Sequence, residues 1–377
     1  MIPYVQSAAS QEVPPPYHFP GVKVNAFVWD APMAAIQKYC DLYFNLRSDR
    51  ERGFVYKPAA FWPYATLLFL EYPVMISAGR KPEKIGGQVP YSDRGIISQT
   101  EVFVAVPVVR YGIGPVRLAL ESTVEWALPF IVVGNPMSCV CGREMLGMGK
   151  PLADIETGES VFPGSFRGSV TLPGWPTLEA GVQQKMMPFL EVTTAPVMPT
   201  FRGSVEEDSL WSLLRSREAS SMLDSLAGAL GAVDDASYGM LPTTMRTVSL
   251  KQIRDARHPD RALYQALATC RSAYSNFDNF RFYNERDVDI AFHDQGSFGE
   301  ILRVFLDLPG APTGEIHRVK PKAAYSFTAD IEFDEMRTIF TFPVDRGPGL
   351  APVPETRDIV SRWLRPWRGF FFGQPPS

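Results

Sequence analysis

The sequence has few cysteines and few histidines. Its 377 residues include four cysteines, Cys40, Cys139, Cys141 and Cys270, and four histidines that are scattered singly. Only Cys139 and Cys141 lie close together, and nothing nearby supplies the paired ligands that a structural zinc site needs. We therefore expect no metal site. The thiols are expected to be reduced, with Cys139 and Cys141 as small core residues.

The chain also lacks a surplus of positive charge and a long apolar run. Its 37 basic and 41 acidic residues give a net charge of −4, so its composition does not favour binding to nucleic-acid phosphates. No run approaches the roughly 18 to 20 apolar residues that span a bilayer. The N-terminus has neither the basic nor the apolar segment of a signal peptide. We therefore predict a cytoplasmic protein with neither a nucleic-acid nor a membrane partner.

Apolar segments separated by prolines and glycines predict a β-rich fold. The 34 prolines are spread along the chain and mark frequent turns, as short strands joined by loops require. Two dense apolar segments, 64–76 and 96–110, have the length and composition of strands. Residues 142–151 are predicted to form a turn-rich segment. Further strands are predicted over residues 288–292, 301–306, 323–333 and 337–342.

Helical spacing of apolar residues is confined to a few segments. It predicts helices over residues 31–46, 209–230 and 263–275. The polar face of 209–230 lacks the row of Lys and Arg typical of a membrane-surface helix, so we expect it to pack on the core or on a neighbouring subunit. These patterns predict one α+β domain over residues 1–377, with a proline-rich N-terminal arm (1–20) and a helical insertion (202–245).

Lysine is scarce, and one lysine lies in an apolar, glycine-rich segment. The chain has 10 lysines against 27 arginines, and Lys150 follows the residues Met-Leu-Gly-Met-Gly. An amine in an apolar pocket is harder to protonate, because desolvation penalises the charged form. A neutral amine can attack a ketone or aldehyde and form an imine, whose protonated form is an electron sink. Lys150 is therefore the candidate nucleophile.

Each of the two dense apolar segments contains one carboxylate. Glu71 lies within 64–76 and Glu101 within 96–110. A buried carboxylate is costly unless it is paired or hydrogen-bonded, and in a low dielectric it can exchange protons near neutral pH. The alternative is that both face solvent, because every second residue of a strand points outwards.

No GxGxxG follows a strand, and there is no P-loop or HExxH, so no cofactor is predicted.

Two of these segments resemble motifs of the acetoacetate decarboxylase superfamily. Residues 142–150, GREMLGMGK, are similar to its signature Gly-Arg-Glu-x-x-Gly-x-Pro-Lys-Lys. Residues 100–108, TEVFVAVPV, resemble its Thr-Glu-x-x-x-x-Ile-Pro-Val strand. Weaker similarity covers residues 68–71, 248–253 and 323–330, so the resemblance touches most of the chain.

The resemblance implies a fold, an activity and a set of site residues. The fold is an acetoacetate decarboxylase-like antiparallel β-cone or barrel with peripheral helices. Lys150 is the Schiff-base lysine, Glu101 and Glu71 are pocket carboxylates, and Met148 lines the pocket. The activity is that of a lyase on a β-keto acid or related ketone, by decarboxylation or by aldol, retro-aldol or dehydration chemistry. A homo-oligomer is also implied. The lack of an arginine in residues 21–30 favours a larger or differently held substrate, such as one from secondary metabolism.

Some residues of the motif have a second interpretation, and some positions depart from it. Arg143 and Glu144 either orient the substrate or form a structural ion pair or cap in the turn. Pro151 replaces a second lysine, Gly149 replaces a proline, and residues 21–30 contain no arginine to hold a substrate carboxylate. The alternative prediction is therefore a non-catalytic ligand-binding or scaffold protein that retains the decarboxylase fold.

Overall fold

The structure is a computed structural model, which describes residues 13–60, 63–78, 80–82, 88–90, 96–114, 122–159, 163–177, 179–197, 244–298, 306 and 314–343. The chain divides into two compact units. One unit combines Met1–Gln252 with Ala266–Thr341, and the other combines Ile253–Gln265 with Phe342–Ser377. The candidate site lies in the first unit. None of the helices in the described residues is long and apolar enough to cross a membrane.

Strands make up most of the described chain. In chain order they are β1 (Tyr17–Asp30), β2 (Phe54–Pro58), β3 (Tyr64–Ser77), β4 (Arg80–Pro82), β5 (Gln88–Pro90), β6 (Ile97–Gly112), β7 (Thr123–Val133), β8 (Asp154–Gly158), β9 (Arg167–Gly174), β10 (Lys185–Thr194), β11 (Thr244–Arg254), β12 (Ala262–Tyr283), β13 (Val288–His293), β14 (Ile316–Val319), β15 (Ala323–Phe333) and β16 (Arg337–Thr341). The α-helices are α1 (Met33–Tyr43), α2 (Asp49–Arg52) and α3 (Pro136–Glu144), and short 3₁₀ turns occupy Glu285–Asp287 and Gly296–Phe298.

The main sheet closes into a barrel. Its strand order is β11-β7-β6-β3-β1-β15-β12-β16, β11 also pairs with β12, and β2 pairs with β6. The predicted β-rich α+β class and the barrel with few helices are confirmed. Pairing is antiparallel along β1, β3, β6, β7 and β15, but β7 and β11 are parallel. A parallel pair needs a long connection, and more than a hundred residues of chain lie between these two strands.

A second sheet covers part of the barrel's outer face. Its order is β14-β13-β10-β9-β8. Aromatic rings join the two layers: the rings of Phe69 and Phe166 are 5.4 Å apart and edge-on, and those of Phe130 and Phe189 are 4.8 Å apart. Phe69 and Phe189 are almost completely buried. The barrel wall is therefore apolar on this outer face as well as inside.

The barrel interior is built from alternating residues of its strands. Phe103 and Ala105 of β6 point inwards, together with buried residues of β1, β3, β7, β12 and β15. Two further members of this interior cluster, Leu146 and Met148, come from the segment that follows α3. That segment also contains Lys150, so the chain brings the candidate lysine to the barrel interior.

The predicted strands are confirmed where the chain is described. Segments 64–76, 96–110, 288–292, 323–333 and 337–342 correspond to β3, β6, β13, β15 and β16, and the helix predicted over 31–46 is the shorter α1. The predictions over residues 1–12, 202–243 and 301–305 lie outside the described residues. The single domain over 1–377 stays a prediction.

Three local predictions were wrong. Segment 263–275 is part of strand β12 and not a helix. Its Leu263, Ala266, Leu267 and Cys270 recur at helical spacing, but pairing with β15 and β16 overrides that pattern. Residues 17–20 belong to β1 and not to a free arm. Residues 142–144 end helix α3, where a turn was predicted.

The contact between the two sheets can be tested by cavity formation. Phe189 is 1 % exposed and its ring meets those of Phe130, Phe292 and Phe298. We expect Phe189→Ala to lower the free energy of unfolding by about 3–5 kcal/mol, measured by denaturant titration. Met186 lies on the same strand and is 45 % exposed, so Met186→Ala is the matched control, with a change below about 0.5 kcal/mol. Equal losses in the two variants would contradict this packing.

Candidate active site

Helix α3 positions one wall of the site. The side chain of Asn135 caps its start: Oδ1 accepts hydrogen bonds from the backbone N–H groups of Met137 (2.9 Å) and Ser138 (3.2 Å). Pro136 occupies the first turn, where its missing N–H costs nothing. Asn135 Nδ2 also donates to the carbonyl of Ser98, 3.0 Å away. The helix start is thereby fixed to β6, three residues before Glu101.

The backbone of Lys150 is held on both sides. Its N–H donates to the carbonyl of Met148 at 2.7 Å, and its own carbonyl accepts from Cys139 Sγ at 3.2 Å. The next carbonyl, that of Pro151, accepts from the backbone N–H of Val133 at the end of β7 (3.2 Å). Lys150 is therefore anchored between α3 and the barrel wall.

Strand β11 fastens the segment between α3 and Lys150. Ser249 Oγ donates to the carbonyl of Leu146 (2.8 Å), and Lys251 Nζ donates to the carbonyl of Met145 (3.3 Å). Burial lowers the pKa of Lys251, an effect that the Glu144 carboxylate opposes. At Gly147 the chain turns with φ of 66°, and an added Cβ would lie 2.5 Å from Lys251 Cβ. Only glycine fits this turn against β11.

The Lys150 amine forms a buried ion pair. Nζ donates to Glu101 Oε2 at 2.7 Å and to Ser138 Oγ at 3.2 Å. The side chains of Lys150 and Glu101 are 5 % and 7 % exposed. Removing two charges from water is expensive, and only close contact with further hydrogen bonding offsets the cost. The serine hydroxyl supplies one of these additional bonds.

Gly142 makes room for the lysine side chain. A Cβ at this position would lie 2.0 Å from Lys150 Cε and 3.0 Å from Nζ. Ser138 precedes Gly142 by four residues, so both lie on one face of α3. The lysine chain therefore crosses the helix at its glycine and ends beside its serine.

The amine, the carboxylate and the serine face a small cavity of about 30 Å³. That volume corresponds to about two or three water molecules. Aromatic and polar side chains complete the wall: the described lining residues are Tyr17, Phe19, Tyr72, Met75, Gln99, Glu101, Ser138, Cys141, Gly142, Leu146, Met148, Lys150 and Phe333.

The two phenols of the cavity stay neutral. Burial raises the pKa of Tyr72 well above its usual value, and the nearby Glu101 carboxylate raises it further. Burial also raises the pKa of Tyr17, with smaller contributions from Cys141 and Cys270. The Tyr17 hydroxyl donates to the carbonyl of Val13 at 2.7 Å. Ionic chemistry at this cavity therefore depends on Lys150 and Glu101.

The structure brings three of the predicted site residues together. Lys150, Glu101 and Met148 all line the cavity. Arg143 and Glu144 lie at the end of α3 with exposed side chains and are not among the described lining residues.

Glu71 lies on the other face of the barrel wall. Glu101 is paired with Leu70 across β6 and β3, so Glu71, one residue further, points outwards. Its side chain is 29 % exposed and lies 3.5 Å from Lys23 Nζ on β1. The sequence placed both acids in one pocket, but strand alternation puts them on opposite faces. We therefore leave Glu71 out of the proposed site.

Sequence analysis did not find Ser138, Gly142 or Gln99 as site residues. Gln99 precedes Glu101 by two residues and so shares its face. Ser138 and Gly142 share a helix face that is visible in the sequence only if α3 is predicted; no helix was predicted there, and residues 142–151 were expected to form a turn-rich segment. Among the described residues, no group of three or more His, Cys, Asp and Glu could hold a metal ion.

Comparison with known proteins gives similar folds among solved structures. An acetoacetate decarboxylase from Legionella pneumophila has 11 % identity and a TM-score of 0.48, with 87 % of this chain and 89 % of that chain covered. The enduracididine biosynthesis enzyme MppR, complexed with pyruvate, has 14 % identity and a TM-score of 0.47, with 88 % and 93 % covered.

An acetoacetate decarboxylase-like enzyme from Sphingomonas wittichii RW1 is also similar, with 13 % identity, a TM-score of 0.45 and 85 % and 91 % coverage. No protein-family model matches the sequence, and no curated protein matches it. Two of these three solved structures are named as acetoacetate decarboxylase or as an enzyme like it. At these identities the likeness concerns the fold alone.

The role of Gly142 can be tested with a second glycine as control. We expect Gly142→Ala to fold, because the flexible end of Lys150 yields, and to break the contact between Nζ and Glu101 Oε2. Lys150 should then be acylated faster by an amine-reactive ester, as followed by peptide mass spectrometry. At Gly149 an added Cβ meets no atom within 4 Å, so Gly149→Ala should label at the native rate. Native protection of Lys150 in Gly142→Ala would contradict the packing.

A double-mutant cycle measures the buried ion pair. Lys150→Met leaves the buried Glu101 carboxylate without its partner, and Glu101→Gln leaves the buried Lys150 amine without its counter-charge. Each should therefore lower the free energy of unfolding by about 3–5 kcal/mol. The double variant should lose much less than the sum of the two. The exposed pair Lys23–Glu71 is the matched control, with a coupling of about 0–1 kcal/mol. Additive losses at Lys150 and Glu101 would show that the two side chains do not interact.

Proposed function

We propose that this protein is a lyase that forms a Schiff base between Lys150 and a small ketone or aldehyde. The observation that carries the proposal is the Lys150 amine, buried at a cavity and 2.7 Å from the Glu101 carboxylate. An amine that is to attack a carbonyl must first lose its proton, and the contact provides a group that accepts it. The apolar wall excludes bulk water, which would compete for the imine.

The covalent step uses both members of the pair. Lys150 Nζ passes a proton to Glu101 and bonds to the carbonyl carbon of the substrate. The carbonyl oxygen takes the proton back and leaves as water after a second proton transfer from nitrogen, which gives the protonated imine. This cation accepts the electron pair of a breaking bond at the adjacent carbon and becomes an enamine. Protonation at carbon and hydrolysis then release the product and the lysine.

The chemistry accommodates more than one bond cleavage. Loss of carbon dioxide from a β-keto acid and retro-aldol cleavage both deliver an electron pair to the same iminium. The described lining residues include no arginine, so nothing in this part of the wall pairs with a substrate carboxylate. The site is therefore proposed for a small carbonyl compound, with Lys150 as nucleophile, Glu101 as proton carrier and Met148 in the wall.

Reductive trapping tests the proposal directly. We expect sodium borohydride with acetone, 2-butanone, pyruvate or acetoacetate to leave a stable adduct on Lys150, located by peptide mass spectrometry, with at least one of these carbonyls. Lys150→Ala should abolish it. Adducts confined to exposed lysines, or to the half-buried Lys251, would contradict the proposal. Ligand binding without any adduct would instead support the non-catalytic alternative.

The two strand acids provide a matched comparison in the same assay. Glu101→Gln should slow adduct formation by about 10²-fold or more, because the amine loses its proton acceptor. Glu71→Gln removes a carboxylate from the outer face of the same wall and should leave the rate unchanged. Equal effects of the two substitutions would show that Glu101 has no part in the chemistry.

A further inference from the structure

Gln99 is a polar side chain of the cavity that the proposed chemistry does not use. It lies on β6, two residues before Glu101 and on the same inner face. Its cross-strand neighbour is Tyr72 of β3. The residue is 8 % exposed and lines the cavity together with Lys150.

The side-chain oxygen of Gln99 has no hydrogen-bond partner among the residues that the structure describes. Oε1 is buried and has no donor, and two buried atoms elsewhere in the described chain, Trp29 Nε1 and Thr269 Oγ1, also have no hydrogen-bond partner. Of these three residues, Gln99 is the one that lines the cavity. A buried polar atom without a partner destabilises the fold, so native proteins keep few of them. Gln99 Oε1 lies in the cavity that Lys150 also lines. A ligand that donates a hydrogen bond to this oxygen would explain why it is unpaired without one.

The charges around Gln99 restrict what that ligand is. Lys150 and Glu101 are paired with each other, and the phenols of Tyr17 and Tyr72 are kept neutral by burial. The described lining residues therefore offer a carboxylate no free cation. An amide oxygen accepts hydrogen bonds and does not donate them. Its complement is an uncharged donor, and in a small carbonyl compound that donor is a hydroxyl group.

We infer that Gln99 is a substrate-positioning residue that selects a neutral hydroxy ketone or hydroxy aldehyde over a keto acid, by accepting a hydrogen bond from the hydroxyl group. The inference rests on the proposed function for the place of the carbonyl carbon beside Lys150. A site built to bond a hydroxyl discriminates against the analogue that lacks it, because the buried acceptor is then left unpaired. The cavity is small, so the hydroxyl lies close to the carbonyl group.

The test compares two ligands that differ by one hydroxyl group. Equilibrium binding of 4-hydroxy-2-butanone and of 2-butanone to the full chain is measured by calorimetry or ligand-observed NMR, without borohydride. We expect the native protein to bind the hydroxy ketone about tenfold more tightly or better, which is the effect of one hydrogen bond. Acetoacetate, which carries a carboxylate, should bind more weakly than the hydroxy ketone.

The variant Gln99→Met removes the amide and keeps the approximate length of the side chain. The ratio of the two dissociation constants should then fall to about one, the value expected when no hydrogen bond distinguishes the ligands. Thr100→Val is the matched control, since this residue is next in the strand and faces the other side; its ratio should equal the native one. Stability provides a separate readout, because loss of a buried acceptor that has no partner should not destabilise the fold.

The outcomes separate this inference from the proposed chemistry. A lost preference in Gln99→Met without any Lys150 adduct would support the inference and overturn the Schiff base. Adducts at Lys150 together with an unchanged ratio in Gln99→Met would leave the chemistry standing and overturn the inference. A native protein that shows no preference for the hydroxy ketone, or binds neither ligand, also overturns it, as does a Gln99→Met variant that is strongly destabilised.

Discussion

The structure of the site depends on one buried ion pair inside an apolar barrel. Lys150 Nζ and Glu101 Oε2 are 2.7 Å apart, and both side chains are almost completely buried. Each charge alone would be costly in this environment, so neither residue can be placed there without the other. The neighbouring side chains fit this constraint. The Ser138 hydroxyl accepts a second hydrogen bond from the amine, and the neutral phenols add no third charge.

The same constraint explains why the site joins parts of the chain that are far apart. Glu101 belongs to the rigid inner face of β6, whereas Lys150 comes from an irregular segment after α3. The lysine is directed only because that segment is fixed by the capped start of α3, by the end of β7 and by the Ser249 bond from β11. Gly142 then lets the lysine chain lie across the helix. These fixed points hold the amine in place although its segment is irregular.

The sequence located the candidate lysine better than it predicted the geometry around it. Lys150 was found because lysine is scarce and its motif resembles a known family, and the dense apolar strands β3 and β6 were found from their composition. Glu71 was assigned to the wrong face because one residue of register decides the face, and only the pairing of Leu70 with Glu101 fixes that register. Strand β12 was mistaken for a helix because tertiary pairing, which a local pattern does not contain, overrode its spacing.

Under the proposed chemistry, the resting ion pair already has the charge arrangement of the intermediate. An ammonium at Lys150 and a protonated imine at the same nitrogen carry the same charge in the same place. Glu101 is the counter-charge in both states, so little of the barrel has to reorganise when the covalent bond forms. A second lysine beside Lys150 would add a positive charge to this pair, and Pro151 occupies that position. The absence of an adjacent cation is therefore consistent with a site in which a carboxylate, rather than charge repulsion, takes the proton from the nucleophile.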